Sequence, residues 1–292
     1  MRSRRRRGSV LRRALWVVPA ALLVIVLVAA VVTQDVWKGQ SMPVEGEVVA
    51  TVDDGQLAVV DRTRVFFGHQ SVGENILGGV EVIYSRQGLI APPIEEKGAR
   101  PGPAGGFISH AYIGANEQPR LKIDDFAQML RSGLGARVDV ALMKFCFLDI
   151  STRTDVDALF THYRDTIAEL QRDYPAISFV HVTVPLTTDS GIKNRVKIMF
   201  GGSDRYGQGE NVARHRYNEL LRQHYGEDRV FDLAAIESTT PDGGRREFRY
   251  RDQPYYALHT GYASDLGHLN AEGSEIAASA FLRAVANASG RR

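Results

Sequence analysis

The pattern of apolar and polar residues predicts one membrane-type segment followed by alternating strands and helices. Residues 14–32, ALWVVPAALLVIVLVAAVV, contain no charged side chain. From Arg64 onward, short apolar runs such as RVFFGH and VDVALMKFCFLDI alternate with stretches in which apolar residues recur at helical spacing, such as VGENILGGVEVIYSRQG. This alternation is typical of an α/β fold, in which helices cover both faces of a mainly parallel sheet.

The same pattern assigns the remaining segments of the chain. Strands are predicted at ISFVHVTVPL and RVFDLAAI, GFISHAYIG could be strand or loop, and VVATV with QLAVV could form a lead-in strand pair. Helices are predicted at KIDDFAQMLRSG, DVDALFTHYRDTIAELQRDYP, NVARHRYNELLRQHYG and AEGSEIAASAFLRAVANA. The connections 187–210 and 242–264 are unusually long, and we expect them near the carboxyl ends of the strands, where ligands bind in such sheets.

The first 34 residues predict a membrane anchor. Residues 1–13 contain seven Arg and no acidic residue, and the apolar run that follows is long enough to cross a bilayer as a helix. The positive charge predicts that the N-terminus stays in the cytoplasm and that the rest of the chain lies outside the cytoplasmic membrane. A cleaved signal peptide is the alternative, but its apolar region is usually shorter. We therefore predict a basic tail (1–13), a single transmembrane helix (14–34), a tether and lead-in (35–62) and one folded domain (63–292).

Charge and composition exclude several classes of function. The formal net charge is +2, but without the seven N-terminal Arg the rest of the chain has 29 basic and 34 acidic residues. A nucleic-acid-binding domain would instead concentrate basic residues on its folded part. The chain has neither a P-loop nor a GxGxxG after a strand, and no HxH, HExxH or Cys/His cluster, so we expect no nucleotide, cofactor or metal site. Cys146, the one cysteine, is expected to be a small buried apolar residue.

Ser71 is the first candidate for catalysis. In VFFGHQSVGEN it stands between a predicted strand and a predicted helix, where its side chain would project from the sheet edge. The helix N-terminus would favour negative charge developing beside it. The alternative is structural, since SVGE also fits a capping box in which Ser71 and Glu74 satisfy the first amides of the helix.

Asp265 and His268 are the second candidate feature. They stand in GYASDLGHLNAEGSEIAASAF, on a predicted loop that leads through Asn270 and Gly273 into the last helix. A serine hydroxyl needs a base to take its proton, and imidazole suits that task near neutral pH. The imidazole in turn needs an acceptor that fixes its tautomer, which an Asp three residues earlier can supply. Alone, a D-x-x-H pair can equally be a turn with no catalytic role.

Together, FGHQSVGENI and SDLGHLNAEGSEIAA resemble the first and last blocks of the SGNH (GDSL-type) hydrolases, over roughly residues 64–286. The resemblance implies a three-layer α/β/α sandwich, flavodoxin-like, with a mainly parallel five-stranded sheet. It also implies Ser71 as the nucleophile, His268 as the base and Asp265 as its partner. The family's Gly-Asp-Ser is replaced here by Gly68-His69-Gln70-Ser71.

The middle blocks depart from the family. Gly114 in AYIGAN is a plausible counterpart of the family's oxyanion Gly, with Asn116 close by, whereas the Gly-x-Asn-Asp expected after the third strand reads KFCFLD and keeps only Asp149. We expect the amides of Ser71 and Gly114, and Asn116, to stabilise the oxyanion. For Lys144, the structural alternative is a strand-end charge that reaches solvent.

These features predict a membrane-anchored extracytoplasmic esterase or O-deacetylase. Its substrate would be an ester-bearing small molecule or a glycan of the cell envelope. Two alternatives stay open. One is an O-acyltransferase that uses the same triad, and the other is a non-catalytic glycan-binding module on the same fold. The aromatic residues Phe248, Tyr250, Tyr255, Tyr256 and Tyr262 fit loop packing better than a sugar-binding platform.

Overall fold

A computed structural model describes residues 43–45, 51–189 and 206–290 of the chain. The predicted basic tail, the anchor and most of the tether lie outside the described residues, as does most of the connection 187–210. Within the described residues, no helix combines the length and apolar character that a membrane span requires. The anchor and the predicted domain boundaries therefore stay predictions.

The elements of the domain alternate as the sequence predicts. In chain order the strands are β1 Pro43–Glu45, β2 Arg64–His69, β3 Ile94–Glu96, β4 Phe107–Tyr112, β5 Val140–Met143, β6 Ser178–Val182, β7 Val230–Phe231, β8 Gly244–Arg246, β9 Phe248–Tyr250 and β10 Gln253–Tyr255. The α-helices are α1 Asp54–Val60, α2 Ser71–Arg86, α3 Pro119–Met129, α4 Val156–Asp173, α5 Gln208–Tyr225, α6 Leu233–Ser238 and α7 Ala271–Ser289.

The central sheet has six strands in the order β3-β4-β2-β5-β6-β7, and every neighbouring pair is parallel. The prediction of five strands is wrong by one, because β3 was missed. This edge strand has three residues, is not buried, and lies in a loop rich in Pro and Gly, so it has no apolar run to mark it. It pairs Ile94 with Ile108 of β4.

Two other segments differ from their predictions. QLAVV is not a strand but part of α1, which starts at an Asp53–Gln56 capping box and buries Leu57 and Val60 at helical spacing. RVFDLAAI is a strand only over β7, because the Asp232 side chain accepts a hydrogen bond from the amide of Ala235 and starts α6. GFISHAYIG, which could have been strand or loop, contains β4.

Two apolar layers cover the two faces of the sheet. On one face, α1, α2, α6 and α7 pack around residues such as Val80, Phe281 and Leu282. On the other face, α3, α4 and α5 pack around residues such as Phe126 and Leu170. The result is the three-layer α/β/α arrangement that the sequence predicted.

Helices α2 and α7 approach each other closely. A Cβ atom added at Gly79 of α2 would lie 2.4 Å from the carbonyl oxygen of Ser274 and 2.7 Å from the Cβ of Ala278, both in α7. Only glycine permits this approach, because a larger residue would push the helices apart. The starts of both helices adjoin the candidate site.

Strand β2 is the point where the strand order reverses. The chain runs from β2 to β3 and β4 on one side, and then to β5, β6 and β7 on the other. In open α/β sheets the ligand crevice forms beyond the carboxyl ends of the strands at such a switch point. The residues that follow β2 are therefore the first place to look for a site.

Candidate active site

Ser71 is the first residue of α2, directly beyond the carboxyl end of β2. Its Oγ lies 2.8 Å from Nε2 of His268. The predicted capping box is not formed, because the N-cap residue is Gln70 and this helix start has no side-chain cap. The Ser71 amide belongs to the first turn of the helix, whose amides have no partner within the helix.

Asp265 holds the imidazole of His268 from its other side. Asp265 Oδ2 lies 2.7 Å from Nδ1 of His268, and Oδ1 accepts hydrogen bonds from the amides of Gly267 and His268 at 2.8 Å each. Because the carboxylate can only accept, it fixes the proton on Nδ1 and leaves the Nε2 lone pair facing Ser71. Partial burial opposes ionisation, but these three donors together lower the pKa of Asp265.

The loop that contains Asp265 and His268 is tied down at several points. The Ser264 amide donates to the His268 carbonyl at 2.9 Å, and the Leu269 amide donates to Asn75 Oδ1 of α2 at 3.3 Å. Asn270 caps α7 by accepting from the amide of Gly273 at 2.9 Å. The Phe147 ring meets the His268 ring edge-on, with centroids 5.4 Å apart. The His268 and Asp265 side chains stay accessible, at 34% and 58% exposure.

Gly114 lies beside the Ser71 turn, but its amide is already bonded. Gln70 Nε2 donates to the carbonyls of Ile113 and Gly114 at 2.9 and 3.1 Å, which ties the turn before Ser71 to the loop after β4. The Gly114 amide donates to Asp125 Oδ2 at 2.8 Å. In this structure the amide is therefore not free for an oxyanion.

Asn116 contacts a buried ion pair and not the Ser71–His268 pair. Its Oδ1 accepts from Lys122 Nζ at 3.0 Å, and Lys122 Nζ also lies 2.6 Å from Asp149 Oδ2. Both ion-pair side chains are fully buried. Asp149 also accepts from the amides of Cys146 and Glu117, so it joins the exit of β5 to the loop before α3. The Asp that resembles the family's third block thus has a structural role here.

Further buried charges lie behind this region. Lys144 is fully buried, so the alternative of a strand-end charge that reaches solvent is wrong. Its Nζ donates to the Phe145 carbonyl, and burial lowers its pKa to about 8. Burial also raises the pKa of Glu237 to about 8. Cys146 is buried, as predicted.

The aromatic residues of the connection 242–264 pack mainly on each other and on Arg245. The Phe248 and Tyr255 rings stack with centroids 5.4 Å apart, and the Arg245 guanidinium lies 3.6 Å from the centre of the Tyr256 ring. Tyr255 and Tyr262 are buried. These contacts fit loop packing, the role that the sequence favoured for them.

A cluster that the sequence did not predict flanks Ser71. His69 Nε2 lies 3.0 Å from His110 Nδ1, and Glu74 Oε1 lies 3.9 and 3.8 Å from these two nitrogen atoms. His69 and Glu74 stand two residues before and three residues after Ser71, whereas His110 comes from β4. Burial lowers the pKa of His69 to about 3.

Comparison with known proteins gives similarity in structure only. No protein-family model matches the chain, and no curated protein matches it.

Solved structures similar to the chain include three bacterial proteins. One, assigned to the G-D-S-L family of lipolytic proteins, is from Desulfitobacterium hafniense, with a TM-score of 0.43 and 11% identity over 76% of this chain and 99% of that one. Another, assigned to the SGNH hydrolases, is from Slackia heliotrinireducens, with a TM-score of 0.42 and 12% identity over 75% and 97%. The third is the periplasmic domain of the lipopolysaccharide acetyltransferase of Salmonella ser. Paratyphi A. Its TM-score is 0.40, with 12% identity over 74% of this chain and 80% of that one.

Proteins assigned to the GDSL and SGNH groups are thus among the structures that the chain is similar to. At these identities the similarity concerns the fold alone. Roles for the site residues have to come from their own geometry.

Proposed function

We propose that the protein is a serine hydrolase that acts on ester bonds through Ser71, His268 and Asp265. The observation that supports this most strongly is the continuous chain of hydrogen bonds, with Ser71 Oγ 2.8 Å from His268 Nε2 and His268 Nδ1 2.7 Å from Asp265 Oδ2. Nucleophile, base and orienting acid are all within the reach that proton transfer requires.

In the proposed reaction, Ser71 Oγ attacks the ester carbonyl while its proton passes to Nε2 of His268. The tetrahedral intermediate collapses, the C–O bond to the alcohol breaks, and the imidazolium returns the proton to the leaving oxygen. A water molecule then gives a proton to Nε2 and attacks the acyl carbon on Ser71. The bond between this carbon and Ser71 Oγ breaks, Oγ takes the proton back from Nε2, and the acid is released. Asp265 orients His268 and stabilises its charged form throughout.

The oxyanion is assigned first to the Ser71 amide at the start of α2. Gly114 and Asn116 remain the further candidates, but the Gly114 amide has to release Asp125 before it can donate to substrate. Losing one oxyanion donor costs about 2.7–4 kcal/mol of transition-state stabilisation. We therefore expect slow turnover of small esters unless a substrate induces this exchange.

The setting of the reaction is proposed from the N-terminal sequence. The basic residues 1–13 and the apolar run that follows support a single anchor and a domain on the outer side of the cytoplasmic membrane. An O-acyl group on an envelope glycan is the substrate class that fits this location. Transfer of the acyl group to a second alcohol would use the same three residues and differ only in the final acceptor.

A non-catalytic glycan-binding module is the second candidate function. The bonded state of the Gly114 amide favours it, because a binding protein has no need for a free oxyanion donor. The pre-aligned hydrogen bonds of Ser71 and His268 favour the enzyme instead.

Activity-based labelling separates the two functions. The full-length chain in detergent micelles is incubated with a fluorophosphonate probe, and hydrolysis of p-nitrophenyl acetate is followed in parallel. We expect labelling and hydrolysis in the wild type, loss of both in Ser71→Ala, and retention of both in Ser85→Ala, an exposed serine near the end of the same helix. A folded wild-type protein that neither labels nor hydrolyses would contradict the proposal and support the binding module.

A further inference from the structure

We propose that His69, His110 and Glu74 form a binding site for one divalent transition-metal ion of the zinc class, beside the turn that contains Ser71. Each residue contributes one ligand atom, and the three atoms lie within 4.8 Å of one another. The cluster is distinct in composition from the Ser71–His268–Asp265 chain.

The distances between the three atoms fit the size of such an ion. They are 3.0 Å between the two nitrogen atoms and 3.9 and 3.8 Å from these to Glu74 Oε1. A point equidistant from all three atoms lies about 2.1 Å from each, which matches the length of zinc–nitrogen and zinc–oxygen bonds. An ion can thus be bound with little movement of the protein.

The chemistry of the ligands selects the class of ion. Two imidazole nitrogens and one carboxylate suit zinc and neighbouring first-row metals, and the same pair of imidazoles disfavours Ca²⁺ and Mg²⁺, which prefer oxygen. Three protein ligands also leave room for water in the remaining coordination positions, as in many zinc sites with an open position.

The surroundings of the ligands resemble those that orient metal-binding side chains. His69 Nδ1 lies 2.9 Å from the Gln70 carbonyl, and a carbonyl can only accept, so this nitrogen carries the proton and Nε2 is the atom left for the metal. Such a bond from the second ring nitrogen to a backbone carbonyl is typical of metal-binding histidines.

The fold holds the three ligands on rigid elements and leaves one side open. His69 ends β2, His110 lies in the adjacent strand β4, and Glu74 is in the first turn of α2. The side-chain exposure rises from 0% for His69 through 12% for His110 to 44% for Glu74, so an ion can enter from the Glu74 side. A bound ion would join β2, β4 and α2 around Ser71.

Metal binding by the purified full-length chain tests the proposal. The untagged protein in detergent micelles is freed of metal with a chelator and dialysed against buffered Zn²⁺, and Co²⁺ is added separately to record its visible absorption bands. We expect saturable binding of one equivalent and at least about tenfold weaker binding in Glu74→Gln and His110→Asn. His162→Asn, which removes a partly exposed histidine paired with Asp124, should bind like the wild type.

Two results would overturn the proposal. One is a wild-type chain that binds no Zn²⁺ saturably, which would make the cluster a hydrogen-bond network only. The other is unchanged affinity in Glu74→Gln, whose surface position makes misfolding a poor explanation and keeps the test valid even if His110→Asn does not fold. Since the readout is metal binding, failure here leaves the proposed role of Ser71 untouched.

Discussion

Asp265 contacts His268 through both of its oxygen atoms. Oδ2 meets the ring Nδ1 at 2.7 Å, and Oδ1 accepts from the His268 backbone amide at 2.8 Å. One side chain thus sets both the position of the backbone and the tautomer of the ring.

Replacing Asp265 by Asn should separate these two roles. The Asn oxygen can keep the bonds to the Gly267 and His268 amides, but its NH₂ group would face Nδ1 and favour the proton on Nε2, where it blocks the transfer from Ser71. We expect the rate of fluorophosphonate labelling to fall by roughly four orders of magnitude, the size of the loss in kcat that the same change causes in a serine protease. Far-ultraviolet circular dichroism should stay unchanged.

The control is Asp252→Asn, at an exposed turn between β9 and β10, which should label at the wild-type rate. Labelling of Asp265→Asn within tenfold of wild type would mean that His268 does not need this carboxylate, and the triad would have to be revised.

Gln70 is expected to be a positioning residue for the Ser71 turn. Gln70→Ala removes the two hydrogen bonds to the carbonyls of Ile113 and Gly114, each worth about 0.5–1.5 kcal/mol. We expect a lower kcat for p-nitrophenyl acetate with little change in KM, because the Ser71 turn is displaced whereas substrate contacts are retained. Gln118→Ala replaces an exposed glutamine at the N-cap position of α3 whose side chain makes no capping hydrogen bond, and it should change neither constant. If Gln70→Ala lowered the free energy of unfolding but left kcat unchanged, Gln70 would have a purely structural role.

Gly73 is required where α2 passes over His69. A Cβ atom at Gly73 would lie 2.3–2.4 Å from the His69 Cγ, Cβ and Nδ1 atoms, so the ring has to move. We expect Gly73→Ala to lower the free energy of unfolding by about 1–3 kcal/mol. Gly78 lies in the same helix with nothing within 4 Å of its added Cβ, so Gly78→Ala should instead stabilise by up to about 1 kcal/mol.

Urea unfolding of both glycine variants measures the difference directly. If Gly73→Ala and Gly78→Ala shifted the unfolding midpoint in the same direction, the close contact between α2 and His69 would not exist in solution.

Glu237 should make the protein less stable as the pH rises. Burial raises its pKa in the folded state to about 8, from an ordinary value of 4.5, although the Leu186 amide and Lys144 oppose that shift. The folded state then binds the proton more tightly than the unfolded one, so this stabilisation is complete below about pH 4.5 and is lost as the pH rises toward 8. Glu237→Gln should weaken this loss between about pH 5 and 7.5.

Urea unfolding at several pH values measures this effect, and Glu81→Gln, at an exposed position of α2, serves as the control. Parallel stability–pH curves for wild type and Glu237→Gln would show that Glu237 ionises normally in the folded protein.

Much of this fold could be predicted from sequence, because burial on both faces leaves a direct trace in apolar runs. Apolar runs predicted β2 in RVFFGH and β5 in VDVALMKFCFLDI. Helical spacing of apolar residues predicted α2, α4, α5 and α7. The edge strand β3 was missed, and the two-residue β7 was predicted too long. The pairing of both strands depends on their neighbours more than on their own side chains. Lys144 illustrates a related difficulty, since a charged residue at the end of a strand gives no sign that the surrounding loops will bury it.

The residues of the candidate site could also be predicted only in part. Ser71, Asp265 and His268 could be selected because each stands in a local pattern at the start of a helix, and the structure brings these three together. The bond between the Gly114 amide and Asp125 could not be foreseen, because it depends on how α3 turns over the loop after β4. The His69–His110–Glu74 cluster was missed because His69 and His110 are 41 positions apart and meet only through the β2–β4 register, which pairs Phe67 with His110.

The tight contact of Gly79 with Ser274 affects how much sequence change the domain can tolerate. Ser71 and His268 adjoin the starts of the two helices that this contact locks together, so their separation is set by a frame made from the first and last parts of the domain. The residues between α2 and α7 can therefore change in sequence without moving Ser71 away from His268.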